Sequence, residues 1–129
     1  QNIMLTKYWH VGKYTNDKIK EIGHMITMEE AEIKSRIIKS MSHPVRLMII
    51  DALKEREMLF SEIKEMFDFD KSTISKHLLV LKQAGVVSSK KSGVDMIYKL
   101  EVPCITDFFG CVTAVIEHNV MRQRVCVCR

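Results

Sequence analysis

DKSTISKHLLVLKQAG, residues 70–85, predicts one short helix with recognisable start and stop signals. Asp70 is a typical N-cap because its carboxylate accepts hydrogen bonds from the free N–H groups of the first turn. Gly85 suits the left-handed position that follows the last turn. Ile74, Leu78 and Leu81 recur at helical spacing, so one face of this helix is expected to pack inward.

The opposite face of this helix combines hydroxyls and amines and has no acid. It carries Lys71, Ser72, Thr73, Ser75, Lys76 and Lys82. Such groups can meet base edges and phosphates in a major groove, although the same pattern alone also suits an ordinary solvated face. The surrounding charge favours the first interpretation: residues 55–70 hold six acids and two cations, whereas residues 71–91 hold five lysines and no acid. A local excess of this kind is typical of a surface that faces phosphates.

The segments on either side of this helix predict a known DNA-binding arrangement. Residues 61–67 predict another short helix, joined to it by a tight turn, which gives a helix-turn-helix. After it, two β-prone runs, 86–89 and 94–100, flank a polar turn with Lys90 and Lys91 at its tip. The sequence therefore predicts a mainly α fold with a small β-hairpin, a winged helix-turn-helix.

Three further helices and two terminal segments complete the predicted organisation. A capping box starts a first helix over 27–41, a proline starts a second over 44–54, and a last helix covers 105–122. The second helix has so many apolar residues that we expect it to be buried. Residues 1–26 are expected to be an extension of unassigned role, residues 27–122 the winged domain, and residues 123–129 a cysteine-containing tail.

Size and composition limit the class of protein. The chain has 129 residues, 47% of them hydrophobic, which is enough for one compact core. It has no apolar run long enough to span a bilayer and no signal-peptide pattern, so we expect a cytoplasmic protein without a membrane partner. All four cysteines lie in the last 26 residues. In a reducing compartment such clustered thiols are typically metal ligands or redox-active groups.

Four short stretches together resemble the ArsR/SmtB family of metal-responsive repressors. They are Ser42–Leu47 (SHPVRL), Ser72–Leu78 (STISKHL), Leu81–Val87 (LKQAGVV) and Tyr98–Leu100 (YKL). Their order and spacing extend the resemblance from about Glu32 to the end of the last helix. It implies a homodimer formed by the first and last helices, double-stranded operator DNA as the partner, and release from DNA when an inducer binds.

The resemblance also implies which residues contact DNA. They are Lys71, Ser72, Thr73, Ser75, Lys76 and His77 on the recognition helix, with Lys90 and Lys91 on the wing. His77 has an alternative interpretation as a half-buried imidazole bonded to backbone. Lys82 and Arg46 are expected to be solvated charges.

The inducer sites of related repressors can be compared with this chain one by one. The Cys-x-Cys pattern that many members carry before the turn is absent, because residues 58–62 read MLFSE. The zinc site on the last helix lacks three of its four ligands here, at residues 107–109 and 120–123. Cys104 and Cys111 instead resemble the C-terminal cysteines of some arsenite-responsive members.

These two thiols cannot hold a small ion by themselves from within one helix. Seven residues of continuous helix separate their Cα atoms by about 10 Å. Either Cys104 lies in a non-helical turn after Pro103, or a third thiol comes from Cys126 or Cys128 in the tail. Three thiolates suit As(III) or Sb(III), which are soft and pyramidal, better than zinc. Alternatively, Cys111 is a simple core residue.

The predicted function is therefore a repressor that is released from operator DNA when As(III) or Sb(III) binds Cys104, Cys111, Cys126 and Cys128. A thiol-based redox-sensing repressor and a Cd, Zn or Pb sensor of the same fold remain as alternatives, as does a DNA-binding protein without an inducer. We do not expect an enzyme. No Arg closely follows Cys104 or Cys111, and the chain has no Gly-rich phosphate loop and no recognisable catalytic set.

Overall fold

The computed structural model describes the backbone of residues 26–127 and the side chains of residues 26–121. The described part of the chain divides into two units, with the boundary between Ile38 and Lys39. The elements in chain order are α1 (Met28–Met41), α2 (Pro44–Leu53), β1 (Met58–Leu59), α3 (Phe60–Glu65), α4 (Lys71–Gln83), β2 (Val87–Ser92), β3 (Asp95–Leu100) and α5 (Ile105–Val127). This order confirms the predicted mainly α, winged helix-turn-helix fold.

The start signals of the first two helices act as predicted. The Thr27 N–H donates to Glu30 Oε2 over 3.0 Å, and the Glu30 N–H donates to Thr27 Oγ1 over 3.2 Å. Pro44 takes the first position of α2, and His43 caps that helix by accepting from the Val45 N–H at Nδ1 over 3.2 Å. At the N-termini of both α1 and α2, a side chain thus accepts from an N–H group that has no partner inside the helix.

The core of the second unit lies where α2, α3 and α4 meet the sheet. Its buried apolar residues are Met41, Val45, Ile49, Ile50, Leu53, Met58, Ile63, Ile74, Leu78, Leu81, Val86, Val87 and Leu100. The expectation that α2 is a buried helix is only partly right for the single chain, since Leu47 and Met48 are 39% and 51% exposed. One face of α2 packs on the core, and the other is open.

Helix α4 forms as its sequence predicts. Asp70 Oδ1 accepts from the Thr73 N–H over 2.6 Å and from the Ser72 hydroxyl over 2.9 Å. The Thr73 N–H is also the main reason why the pKa of Asp70 lies below its ordinary value. At the other end Gly85 has φ +76°, and the Val86 N–H closes the last turn on the Leu81 carbonyl over 3.0 Å.

The sheet has three strands in the order β1-β3-β2, all antiparallel. The hairpin pairs Val87 with Leu100 at its base. Strand β1 was not predicted: it is only two residues long and pairs Met58 with Tyr98. It ties the segment before α3 to the wing, so the hairpin is anchored along both edges of β3.

The turn of the wing differs from the predicted one. Lys90 and Lys91 lie inside β2, opposite Ile97 and Met96, and not at the tip. Only residues 93 and 94 separate the two strands. Gly93 has φ +63°, a backbone conformation that a two-residue hairpin turn requires and that glycine adopts at little cost. The pairing therefore extends further than the polar run of sequence indicated.

Helix α5 continues to Val127, five residues beyond the predicted end at residue 122, and includes the backbone of Cys126. Its predicted apolar face is exposed in the single chain: Phe108, Val112, Val115 and Ile116 are 43–59% accessible. Cys128 and, except for Ile26, the predicted extension over 1–26 lie outside the described residues. None of the helices between residues 26 and 127 combines the length and apolar character needed to cross a bilayer.

Candidate nucleic-acid interface and thiol positions

The polar face of α4 is presented at the surface as predicted. Of its six predicted contact residues, Lys71, Ser72, Ser75 and Lys76 are exposed, whereas Thr73 and His77 are half-buried. Neither Lys71 nor Lys76 is ion-paired with a carboxylate within the part of the chain that the structure describes. Leu79, which sequence reasoning did not select, is 53% exposed on the same helix. The face thus offers two exposed ammonium groups, two exposed hydroxyls and one exposed apolar side chain.

Two lysines of α4 have neighbours that the sequence did not reveal. Lys71 Nζ lies 5.7 Å from the centroid of the Phe60 ring, within the range of a cation–π contact. Lys82, which we expected to be merely solvated, donates from Nζ to Ser89 Oγ over 2.8 Å. This second bond joins the last turn of the recognition helix to strand β2.

His77 lies on the flank of α4 rather than on its open face. Its ring centroid is 4.4 Å from that of His43, with the ring planes 39° apart. Burial lowers the pKa of His77, and the basic groups His43 and Arg46 beside it lower that pKa further. The alternative of a half-buried imidazole is therefore right about burial, but the neighbour is a second imidazole and not a backbone group. Arg46, which we expected to be a solvated charge, is half-buried, and its Nε atom is buried.

The lysines of the wing differ in their surroundings. Lys90 and Lys91 are both exposed. Lys90 Nζ lies 3.5 Å from Glu57 Oε2, whereas Lys91 has no such carboxylate among the described residues. Beyond them Val94 is fully exposed at the turn. Lys91 is therefore the freer of the two charges for a phosphate contact.

Hydrogen bonds between Asp95 and Ser61 join the wing to α3. Asp95 Oδ2, at the start of β3, accepts from the Ser61 hydroxyl over 2.6 Å and from the Ser61 N–H over 3.3 Å. The hydrogen bond from the Ser61 hydroxyl is the main cause that lowers the pKa of Asp95, and the bond from the Met96 N–H is the second. Since Ser61 lies in the first turn of α3, this carboxylate fastens the free end of the hairpin to the helix-turn-helix.

The cysteines that the structure describes are both accessible. Cys104 lies in the turn after Pro103, and Cys111 lies on α5. The Cys104 carbonyl accepts from the Asp107 N–H over 3.2 Å, so the turn leads directly into the helix. The alternative that Cys111 is a core residue is wrong for the single chain, because it is exposed.

The predicted metal site is only partly within the described residues. Among their side chains, no group of three or more His, Cys, Asp or Glu residues is placed to hold a metal ion. The side chain of Cys126 and the whole of Cys128 lie outside them. The set of four thiols therefore stays a prediction, of which the structure describes two members, the exposed thiols of Cys104 and Cys111.

Comparison with known proteins identifies the family. The model of the bacterial regulatory protein arsR family matches residues 43–89, from the cap of α2 into β2. The HTH-type transcriptional regulator Rv0081 of Mycobacterium tuberculosis is 31% identical over 97 residues, which cover 74% of this chain and 84% of that protein. The chain belongs to the ArsR family. The fold, the recognition helix and the wing are those of a winged helix-turn-helix transcriptional repressor of this family, not of an enzyme.

Another curated relative and two solved structures are also similar to this chain. The transcriptional repressor SdpR of Bacillus subtilis is 37% identical over 73 residues, covering 57% of this chain and 81% of SdpR. The crystal structure of Rv0081 superposes with a TM-score of 0.63 at 29% identity, covering 77% of this chain and 99% of that one. A homodimeric winged helix-turn-helix domain, Mb0332 of Mycobacterium bovis, has a TM-score of 0.61 at 22% identity over 78% and 94% of the two chains, which shows a common fold.

Sequence reasoning missed the contacts that join distant parts of this ArsR-family domain. The bond between Ser61 and Asp95 spans 34 residues, and no local pattern announces it. The contact of His43 with His77 could have been suspected only from the position of each residue, one before the proline that starts α2 and one beside the inward face of α4. Both contacts depend on how the helices cross.

Proposed function

We propose that this protein is a cytoplasmic homodimeric repressor that binds double-stranded operator DNA through α4 and the wing. In this proposal As(III) or Sb(III) releases it from DNA by binding thiolates that include Cys104 and Cys111. The observation that carries the DNA half is the open face of α4, with its exposed hydroxyls and its two ammonium groups that form no ion pair among the described residues. A helix with such a face can enter a major groove, where hydroxyls read base edges and ammonium groups bind phosphates.

The exposed apolar surface of α5 supports the dimer. Phe108, Val112, Val115, Ile116 and Val120 lie on one side of α5 and are 43–59% exposed in the single chain. A row of this size on one helix is unusual for a monomer in water and is typical of a surface that a partner covers. A two-fold dimer presents the same face from both copies, as a self-complementary contact requires. The first helix, α1, is proposed to complete that interface.

The thiols lie on the same segment as this proposed interface. Cys104 precedes α5, and Cys111 follows Phe109 two residues later on the helix. Soft thiolates suit trivalent arsenic and antimony, and a third thiolate from Cys126 or Cys128 would complete a pyramidal site. Regulators of the ArsR/SmtB family respond to metal or metalloid ions. An ion that draws these thiols together would alter the dimer contact and so the spacing of the two recognition helices.

The DNA half can be tested without any inducer. Reduced protein should enrich a defined sequence from a pool of random duplexes, and the enriched site should hold two half-sites with centres about 10 base pairs apart. Footprinting should then place one subunit on each half-site. Enrichment of no sequence, with equal affinity for every duplex, would refute an operator-binding repressor.

The sensing half can be tested on the selected operator. Arsenite should release the reduced wild-type protein in a mobility-shift assay, while Cys104→Ser and Cys111→Ser should bind the operator normally and resist arsenite. Release by diamide and not by arsenite would instead establish a redox sensor. Release by zinc or cadmium alone would establish a divalent-metal sensor, and release by none of them a repressor without such an inducer.

A further inference from the structure

Three basic side chains lie near one another where the N-terminus of α2 packs against α4. The rings of His43 and His77 are 4.4 Å apart, and Arg46 lies in the first turn of α2. All three residues are half-buried. Arg46 Nε is buried and has no hydrogen-bond partner among the described residues. A buried donor without a partner is costly, so a group that accepts from it is expected at this place.

The hydrogen-bonding pattern of this cluster is one of donors. His43 accepts from the Val45 N–H at Nδ1, so its neutral ring carries the proton on Nε2 and can donate away from the helix cap. The Arg46 guanidinium only donates. The N-terminus of α2 adds the positive end of a helix dipole. No described carboxylate forms an ion pair with any of the three residues.

Location identifies the kind of anion that would complete the cluster. His77 belongs to α4, one residue after the exposed Lys76 of the proposed DNA-binding face. A backbone phosphate beside a recognition helix offers several acceptor oxygens and a negative charge, and helix N-termini are common sites for phosphates. The charged groups that act on His77 are His43 from α2, where it caps the helix, and Arg46 from the same helix, both basic.

We propose that His43, Arg46 and His77 form a second DNA contact, a site for one backbone phosphate per subunit, and that this contact takes up a proton when DNA binds. The inference rests on the DNA binding proposed above and adds residues outside the open face of α4. It gives α2 a part in holding DNA, in addition to its part in the core.

The charges around His77 explain why its ring would take up a proton when DNA binds. In the free protein burial, with His43 and Arg46, lowers the pKa of His77, so the ring is neutral near pH 7. A phosphate in the cluster adds a negative charge that favours the imidazolium form. DNA therefore binds more tightly as the pH falls through the range in which the bound form, but not the free form, is protonated.

The first test compares two charge removals on one helix. Arg46→Gln should weaken binding about tenfold, on operator and unrelated duplexes alike, and should reduce the slope of log K against log salt by about 1 per subunit. Lys54→Gln is the matched control, since Lys54 lies at the opposite end of α2 and pairs with Asp51 over 3.0 Å. It should change affinity less than about twofold. Arg46→Lys, which keeps the charge, should retain the wild-type slope.

Measuring both the wild type and Arg46→Gln separates the failure of this proposal from the failure of the proposed function. If the wild type and Arg46→Gln bind a selected operator with equal slopes, the phosphate site is refuted while operator binding stands. If the wild type binds no duplex at all, both proposals are refuted. Circular dichroism of each variant confirms the fold, and a loss of fold in Arg46→Gln transfers the test to the histidines.

The second test removes titration without removing the helix cap. His43→Asn keeps a side-chain acceptor for the Val45 N–H, because Asn is a good N-cap, and His77→Gln stays neutral at every pH. Wild-type affinity for operator should rise about tenfold from pH 7.5 to pH 5.5. The variant that carries both His43→Asn and His77→Gln should lose most of that rise. An NMR titration of the imidazole protons should show a higher pKa for His77 with duplex than without. An unchanged pKa, or an equal pH dependence in the double variant, would overturn the proposal.

Discussion

Replacing Lys76 by Gln removes one exposed ammonium group from each recognition helix and leaves the packing of α4 untouched. Lys76 forms no ion pair among the described residues, so it is free to bind a phosphate. A proposed dimer loses two such contacts. Each contact contributes only about 1 kcal/mol, because the ammonium group loses favourable hydration on binding. The two contacts of the dimer together contribute about 2 kcal/mol. The Kd for operator should therefore rise about thirtyfold.

The salt dependence provides the sharper assay for Lys76→Gln. Each lost phosphate contact reduces the slope of log K against log salt by about 0.9, so the dimer should lose about 1.8. Fluorescence anisotropy of a labelled operator from 50 to 200 mM KCl measures this directly, with Lys54→Gln as the control of equal charge. If both variants keep the wild-type slope, or both lose the same amount, the open face of α4 does not bind phosphates and the reasoning is refuted.

Four further outcomes are expected. Asp95→Asn weakens the bond to Ser61 that fastens the wing, so operator affinity should fall about fivefold at an unchanged thermal midpoint; unaltered affinity would show that the wing needs no such bond. Ile74→Ala leaves a cavity at a fully buried position and should lower the free energy of unfolding by about 2–5 kcal/mol in urea titrations. A loss of less than about 1 kcal/mol would show that the position is not part of a packed core. Ile116→Glu should convert the proposed dimer to monomer in analytical ultracentrifugation, and a persisting dimer would place the interface elsewhere. The lowered pKa of His77 favours its neutral form in the folded state, so the free energy of unfolding falls as the pH drops below about 6.5, and His77→Gln should make that fall shallower.

The recognition helix could be predicted because its signals are local. Asp70 and Gly85 mark its ends through bonds to residues within five positions, and the spacing of Ile74, Leu78 and Leu81 marks its buried face. Each signal is a property of the helix itself. The open face followed from the same periodicity, so four of its six predicted contact residues are exposed.

Features that depend on pairing between distant segments were not predictable in the same way. The register of the wing was misjudged because the polar run at Lys90 and Lys91 resembles a turn, whereas the positive φ of Gly93 sets the turn beyond it. Strand β1 is too short to show alternation. The burial of His77 against His43 depends on the crossing of α2 and α4, which periodicity does not encode.

The most direct test of the account measures whether the thiols and the DNA surface influence each other. Isothermal titration should give the arsenite affinity of the reduced protein with and without saturating operator. Since coupling between two sites is reciprocal, operator should weaken arsenite binding by the same factor by which arsenite weakens operator binding, at least about tenfold. The Cys104→Ser, Cys111→Ser double variant should bind operator and take up no arsenite. Equal arsenite affinity with and without operator would contradict the account.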